Sequence, residues 1–217
     1  MYAGVVVLAL SFMGAVPGPD AVLKEVQNSY AQAGDLSAVF AQTYVDKLRG
    51  RLPTEKGKLW VKADGRVCWS YQKPTPKDFI YDGKKAYFYE PQNAQVTVFE
   101  QFEDSQLSTA MRFLWGQGDL KALFEAKPCD ASCKVGELGD WKIRLVPRQP
   151  IRTVKTVVLA VDPQSKRPRV SVIYDPLGNH TEYAFSDFVK ETKIPSKKFR
   201  FKIPKNVSVL RSALSEK

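Results

Sequence analysis

Residues 57–71 read GKLWVKADGRVCWSY, two alternating runs on either side of a short polar turn. The side chains of one parity are apolar or aromatic: Leu59, Val61, Val67, Trp69 and Tyr71. The other parity is mostly polar and comprises Lys58, Trp60, Lys62, Arg66, Cys68 and Ser70. Because successive side chains of a strand point to opposite faces of a sheet, this stretch predicts an antiparallel hairpin with one apolar and one polar face.

Further strand-like runs extend this hairpin in both directions. Turn residues separate them, and Asp82-Gly83 is the clearest tight-turn signal. The runs that predict strands cover residues 37–45, 57–62, 66–72, 78–81, 85–89, 95–99, 141–146, 153–161, 168–174, 181–189 and 199–203. They indicate about 10–11 antiparallel strands rather than a parallel α/β fold.

Helical patterns occur at two places. Apolar residues recur at helical spacing between Asp20 and Gly34, and again between Ser105 and Lys127, where a second short piece covers residues 119–125. We therefore predict a mainly β protein with α: a single strongly curved sheet or open barrel, an N-terminal helix and a central helical insertion.

The amino-acid composition excludes several classes of protein. The chain has 217 residues, of which 44% are hydrophobic and 26% charged, as in a folded protein. Without a repeat or a low-complexity linker, residues 19–217 are expected to form a single domain. One histidine and three cysteines cannot build most zinc sites, so we expect no metal and no cofactor.

The formal net charge of +10 is compatible with nucleic acid, an anionic membrane or an acidic protein as partner. Basic residues are scattered and become dense only between Lys197 and Lys205, where they alternate with Phe199, Phe201 and Ile203. This alternation predicts a strand with a solvated, charged face rather than a nucleic-acid stripe.

Residues 1–18 have the character of a secretory signal. An apolar run from Ala3 to Met13 is followed by small residues up to Gly18, although the first basic residue is Lys24. Export would place the chain in an oxidising compartment, where Cys129 and Cys133 are expected to close a small disulfide loop. Cys68 lies in a strand-like run and is predicted to be a free, partly buried packing residue.

No catalytic residue is predicted. His180 follows Gly178-Asn179 without a nucleophile elbow anywhere in the chain, and phosphate-binding and dinucleotide-binding motifs are absent from the sequence. Glu100, Glu103 and Asp104 form a charged, loop-like stretch that is expected to be solvated, whereas general acid catalysis needs a carboxyl with a raised pKa. These observations favour a binding protein over an enzyme.

Several motifs resemble, in consistent order from about Asp20 to Leu210, the periplasmic lipoprotein carrier (LolA) family. They are Leu36–Gln42, Gly57–Lys62, Gly65–Tyr71 with Pro74, Tyr81–Lys84, Tyr87–Pro91, Trp141 with Leu145–Pro147, Asp175–Asn179 with Thr181, and Phe199–Pro204 followed by Val207. The resemblance implies a half-open antiparallel β-barrel lidded by helices. It also implies a periplasmic monomer whose hydrophobic cavity takes lipoprotein acyl chains from an inner-membrane ABC transporter and passes them to an outer-membrane acceptor.

A curved sheet with large apolar side chains on its concave face must fill the hollow with them, cover it with helices, or hold an apolar ligand there. The expected lining of a lipid cavity comprises Leu59, Val61, Val67, Trp69, Tyr71, Val96, Val98, Leu107, Met111 and Leu114. The last three belong to the segment 105–115, which is the expected lid, with Gly116 and Gly118 as hinge residues.

The chain departs from the family at one position. Members commonly carry an Arg directly after the Val-Lys pair, where it helps to close the empty cavity; here that position is Ala63. The parity of Arg66 places it on the polar face, where solvation is the expected role. Lid control is therefore expected to differ in this protein.

Two further function classes stay open from the residues alone. One is a periplasmic binder of another apolar ligand, such as a glycolipid or a free acyl chain. The other is a nucleic-acid binder that combines aromatic and basic residues on one open face. Trp69 and Tyr71 share a parity with Leu59, Val61 and Val67 rather than with basic residues, so no nucleic-acid partner is expected.

Overall fold

The computed structural model describes residues 16–102, 118–130, 133–191 and 193–212. Its helices are α1 (Pro19–Ala33) and α2 (Leu120–Leu123), and 3-10 turns cover Pro91–Asn93 and Ser196–Phe199. The strands are β1 (Asp35–Asp46), β2 (Gly50–Arg51), β3 (Glu55–Val61), β4 (Val67–Lys73), β5 (Lys77–Tyr81), β6 (Ala86–Glu90), β7 (Gln95–Phe99), β8 (Phe124–Pro128), β9 (Trp141–Pro147), β10 (Thr156–Val161), β11 (Pro168–Tyr174), β12 (His180–Glu191) and β13 (Ser208–Ser212). Of the signal-like segment, only positions 16–18 fall within these ranges.

The strands of the described residues form one sheet. Their order is β13-β7-β6-β5-β4-β3-β1-β12-β11-β10-β9-β8, with β2 paired to β1. Neighbours are antiparallel except β13, which runs parallel to β7. This confirms a mainly β protein with a large, mostly antiparallel sheet and an N-terminal helix. Closure of the sheet into a half-open barrel stays a prediction.

Over the residues that the structure describes, the number of strands exceeds the expected number because three strands form outside the predicted runs. They are the short β2, β8 and the C-terminal β13. Within the helices of the described ranges, none combines the length and the apolarity that crossing a membrane requires.

The second helical piece is shorter than predicted over residues 119–125. Helix α2 begins where the Asp119 side chain accepts a hydrogen bond from the Ala122 N–H (3.0 Å). It ends at Leu123, and the next residue, Phe124, pairs with Pro147 of β9 and is fully buried. Strand pairing and burial therefore override the local helical pattern. The first part of the predicted insertion, 105–115, lies outside the described residues.

The strand predicted over residues 199–203 is wrong. Ser196–Phe199 forms a 3-10 turn, and the fully buried Phe199 packs with Cys68 and Ile80. The segment crosses over the sheet instead of pairing with it, and pairing begins only at Ser208. The polar parity of the hairpin therefore faces a second small core rather than solvent alone.

The two faces of the sheet have different surroundings. The inner face bears Trp69 and the outer face bears Cys68, because the two residues are adjacent in β4. The main core lies on the inner face, where Val22, Leu23 and Val26 of α1 are buried. Helix α1 packs on β8, β9 and α2, so it covers one side of the inner face.

The start and end of α1 follow from local chemistry. Gly18 caps the helix in an extended conformation and Pro19 occupies its first turn, where a missing N–H is harmless. Gly34 ends it with a φ of 69°, a conformation that favours glycine. This turn leads the chain directly into β1.

The predicted disulfide is present on the outer face. Cys129 and Cys133 are bonded, with their Cα atoms 5.8 Å apart. Cys133 packs with Val158 and Val172, so the bond fastens its loop onto β10 and β11. Cys68 is a free, buried thiol, and burial raises its pKa to about 12. Such a thiol is a packing group rather than a nucleophile.

Candidate functional site

The inner face carries a continuous apolar row across four neighbouring strands. In the antiparallel registers, Leu59 lies opposite Trp69, Trp69 opposite Phe79, and Phe79 opposite Phe88. Leu59, Trp69 and Phe79 are buried, while Phe88 at the end of the row is half-buried. The predicted lining residues Val61 and Val67 are buried next to this row, and Tyr71 is half-buried against it.

The residues around Trp69 are mostly aromatic. The Trp69 ring lies 5.0 Å from the Phe40 ring and 5.5 Å from the Tyr183 ring, both edge to face. Phe102 lies 5.4 Å from Phe79 and 5.3 Å from Tyr81, measured between ring centres. Edge-to-face and offset rings pack favourably beyond the area they bury, so these contacts order the inner face.

The register contradicts the face predicted for Val96 and Val98. Val98 lies opposite Tyr87, which lies opposite Ile80, and Ile80 lies opposite Cys68. Both valines are therefore on the outer face, where they are buried. On β7 the more apolar parity faces outward because the C-terminal segment covers that side: the Phe201 ring contacts Tyr87 and Tyr89 at 5.3 Å each.

Three other predicted lining residues, Leu107, Met111 and Leu114, lie outside the described residues. The structure adds inner-face residues that the sequence reasoning did not select. They are Phe40, Phe79, Tyr81, Phe88, Phe99, Phe102, Tyr183 and Phe185. The alternating pattern of β5 and β12 places Phe79 with Tyr81 and Tyr183 with Phe185 on one face of each strand. Only the pairing with neighbouring strands shows that this face is the inner one.

The part of the inner face that β9 and β10 form is mostly aliphatic. Ile143, Leu145, Val157 and Leu159 of β9 and β10 are buried together. Helix α1 and the fully buried Leu120 of α2 join the same core. This half of the face is therefore filled by the protein's own helices.

Polar side chains occupy one end of the inner face. The Tyr71 hydroxyl donates a hydrogen bond to Gln42 Oε1 (2.6 Å), and Lys77 Nζ donates one to Glu55 Oε1 (2.6 Å). Burial raises the pKa of Tyr71 well above its ordinary value, and Tyr183 and Glu55 raise it further. Tyr71 is therefore a neutral hydrogen-bonding group at any physiological pH.

A cavity of about 490 Å³ lies near this polar end. Tyr44, Ile173 and Thr181 line it from β1, β11 and β12, together with the loop residues Arg152 and Leu177. Tyr44 lies two residues beyond Gln42 and on the same face of β1. The polar end of the inner face is thus next to an open space.

The residues considered for other roles have ordinary structural surroundings. Ala63 is exposed in the turn between β3 and β4, and its N–H donates a hydrogen bond to Asp35 Oδ1 (3.1 Å). Arg66 forms an ion pair with Asp64 and lies over the Phe199 ring at 5.7 Å, on the outer face. Arg66 is therefore directed away from the inner face.

His180 and Glu100 of the acidic stretch also contact ordinary structural partners. His180 Nε2 lies 3.3 Å from Glu182 Oε1 and its ring is 5.0 Å from that of Tyr174. Glu100 pairs with Lys85 and Arg211, and the hydrogen bond from Lys85 is the main cause of its lowered pKa. Glu103 and Asp104 lie outside the described residues. Across the ranges that the structure describes, no three potential ligands cluster as a metal site would require.

Within the described residues, a large sheet with one apolar face, which helices cover on one side, places this chain in the class of mainly β proteins with an apolar sheet face. Residues 31–202 match the family model described as outer membrane lipoprotein carrier protein LolA, and the chain belongs to this family. The family consists of carriers rather than enzymes.

Relatives match over most of the chain. An outer-membrane lipoprotein carrier protein from Nitrosospira multiformis is 28% identical over 180 residues, which covers 82% of this chain and 83% of the relative. The protein of the same name from Bordetella avium is 25% identical over 203 residues and 93% of each chain.

Solved structures share the fold at low sequence identity. An uncharacterized conserved protein from Thermus thermophilus superposes with a TM-score of 0.54 at 12% identity, covering 89% of this chain and 98% of that one. MucB superposes with a TM-score of 0.50 at 14% identity, covering 88% of this chain and 65% of that one. These likenesses concern the fold alone.

Proposed function

We propose that this protein binds the acyl chains of lipoproteins on its inner face and carries them through the periplasm from the inner to the outer membrane. The observation that carries the proposal is the apolar row from Leu59 through Trp69 and Phe79 to the half-buried Phe88, in a chain of the carrier family. Relatives named outer-membrane lipoprotein carrier protein support the choice of cargo.

The energetics of an acyl chain in water favour this use of the face. Each exposed CH₂ costs about 0.8 kcal/mol, so a carrier has to cover nearly the whole chain. In the proposed mechanism, the sheet closes into a half-open barrel around a hydrophobic cavity. The predicted lid, residues 105–115, lies outside the described residues, and the roles of Leu107, Met111 and Leu114 as cargo contacts and of Gly116 and Gly118 as hinge stay predictions.

Handover needs no nucleotide site on the carrier. An inner-membrane ABC transporter supplies the lipoprotein, and an outer-membrane acceptor that holds the acyl chains more tightly takes it over. The carrier acts as a periplasmic monomer made of residues 19–217, after a signal-like segment over residues 1–18. The Cys129–Cys133 disulfide supports an oxidising compartment.

Uptake of a dye that fluoresces in apolar surroundings tests binding on the inner face. Trp69→Glu should abolish uptake, because a charge in the apolar row opposes burial of the dye. The matched control is Trp60→Glu, on the neighbouring strand but on the outer face, which should leave uptake intact. Phe88→Glu, at a half-buried position, serves as a second variant if Trp69→Glu does not fold. Normal uptake in a folded inner-face variant would refute the site.

The cargo is identified from the exported protein itself. Mass spectrometry of material that co-purifies with it should find triacylated or diacylated lipoproteins. Recovery of a glycolipid or a free fatty acid alone would instead make the protein a binder of that lipid.

Lid control is proposed to involve Ala63, which is exposed beside Asp35. An Arg at this position is expected to stabilise the closed, empty state, so Ala63→Arg should weaken cargo retention or speed transfer to an acceptor. The measurement is transfer of a labelled acylated peptide to acceptor membranes. Equal retention and equal transfer rates would show that this position does not control the lid.

A further inference from the structure

The inner face changes from apolar to polar at the same level on four adjacent strands. Along β1, Phe40 is followed on this face by Gln42, and along β4, Trp69 is followed by Tyr71. On β5 and β3 the same step leads from Phe79 to Lys77 and from Leu59 past Gly57 to Glu55. The four polar side chains face one another, as Gln42 lies opposite Glu55 and Tyr71 opposite Lys77.

This polar group is centred on one ion pair. Lys77 Nζ lies 2.6 Å from Glu55 Oε1, and the two side chains retain 21% and 23% of their accessible surface. The ammonium also lies 4.6 Å from the centre of the Tyr71 ring and 5.8 Å from that of Phe88. The pair is thus held against aromatic walls but can still be reached.

A half-buried ion pair is a poor way to stabilise a core. Removing two charges from water costs more than their attraction returns, unless other groups complete their hydrogen bonds. An ammonium has three N–H donors, and Glu55 accepts from Lys77 here. A ligand oxygen beside Phe88, whose ring centre lies 5.8 Å from the ammonium, would complete the hydrogen bonding of Lys77.

We propose that the Glu55–Lys77 pair binds the neutral carbonyl end of an acyl chain, an ester or amide, while the chain itself lies against the half-buried aromatic side chains Phe88 and Phe99. This inference rests on the proposed function and adds the chemistry of the group that is recognised. Lys77 donates to the carbonyl oxygen, and Tyr71 and Phe88 form the walls. Because Glu55 already neutralises Lys77, a carboxylate would add an uncompensated negative charge at this half-buried pair, so the site selects linked acyl chains over free fatty acids.

The test uses displacement of the dye from the full-length protein by three ligands with the same saturated chain: methyl laurate, laurate and dodecane. The wild type should bind methyl laurate most tightly. In the double variant Glu55→Gln with Lys77→Met, which leaves no unpaired charge, affinity for methyl laurate should fall about tenfold, the loss expected for a hydrogen bond to a charged group. Dodecane affinity should stay the same.

Glu55→Gln alone leaves the ammonium without its carboxylate. Laurate should then bind about tenfold more tightly than it does to the wild type. The control pair, Glu125→Gln with Lys127→Met, removes the same residue types from an ion pair on the outer face of β8 and should change none of the three affinities.

The outcomes separate this inference from the proposed function. If all three ligands displace the dye but the double variant keeps the wild-type preference for the ester, the ion pair is not the recognition site. A wild type that prefers laurate would also overturn the inference. If none of the ligands displaces the dye, acyl binding itself fails, and the inference fails with it.

Discussion

The two halves of the inner face are built from different residues and have different neighbours. Under β9 and β10 the face is mostly aliphatic, with Leu145 and Leu159 fully buried in the core that α1 and α2 complete. Under β4 to β7 it is aromatic, and Tyr71, Phe88 and Phe99 remain half-buried. One half of the face is therefore occupied by the protein's own helices, whereas the other half keeps partly exposed apolar side chains.

The largest effect is expected in the aliphatic half. Leu145 is 0% exposed, so Leu145→Ala leaves a cavity beneath the helices and should lower the free energy of unfolding by about 4 kcal/mol. Urea denaturation measures the loss. Dye uptake per folded molecule should not change, and a loss of uptake at unchanged stability would reverse the roles assigned to the two halves.

The next effect concerns the border between Phe40 and the polar end. A Cβ at Gly57 would lie 2.0 Å from the backbone oxygen of Ser70 and 2.9 Å from Phe40 Cε1. Gly57→Ala should therefore destabilise the protein by about 3 kcal/mol and lower dye uptake, because both strand and ring must move. Gly18→Ala is the control: nothing lies within 4 Å of its Cβ position, so only the preference of the helix N-cap for glycine over alanine is lost, and stability should fall by less than about 1 kcal/mol. Equal stability of the two variants would contradict the close packing at Gly57.

In the aromatic half, binding should suffer more than stability. Phe88→Ala removes a half-buried ring and should lower the free energy of unfolding by only about 1.5 kcal/mol, but weaken dye binding about tenfold. Tyr87→Ala removes the neighbouring ring from the outer face, where it contacts Phe201. Dye affinity of that control should match the wild type, and an equal loss in both variants would argue against a binding face at Phe88.

The smallest effect is a pH dependence at the margin of the aliphatic half. Burial tends to raise the pKa of Asp162 in the β10–β11 turn, but hydrogen bonds from Ser165, Gln164 and Arg169 outweigh it and hold the pKa well below the ordinary value. A lowered pKa stabilises the fold above the unfolded-state value near 4, and this contribution is lost as pH falls through the folded-state pKa. Asp162→Asn should therefore cost about 1 kcal/mol at neutral pH and progressively less in acid. Chemical denaturation at several pH values measures the difference in stability between the wild type and this variant. A difference that grows in acid would contradict the lowered pKa of Asp162.

Prediction from the sequence succeeded where a pattern is local. The alternation around Trp69 placed Leu59, Val61 and Val67 on its face, and the four-residue separation of Cys129 and Cys133 suited a loop disulfide. The prediction failed on β7, where both faces of the strand carry apolar side chains. The face of Val96 and Val98 there depends on the pairing with β6. Prediction also failed over residues 199–203, because a pattern of alternation does not distinguish a paired strand from a segment that packs across a sheet.

The sequence by itself determined the mainly β architecture, the N-terminal helix ended by Gly34, and the apolar parity of the β3–β4 hairpin, since each depends on residues only a few positions apart. Tertiary structure decided which half of the inner face the helices fill and where Lys77 meets Glu55, 22 residues away. It also decided that Phe199 covers Cys68. The physical reason is that burial and strand pairing join residues distant in the chain, and the gain from those contacts outweighs the local preference of any one segment.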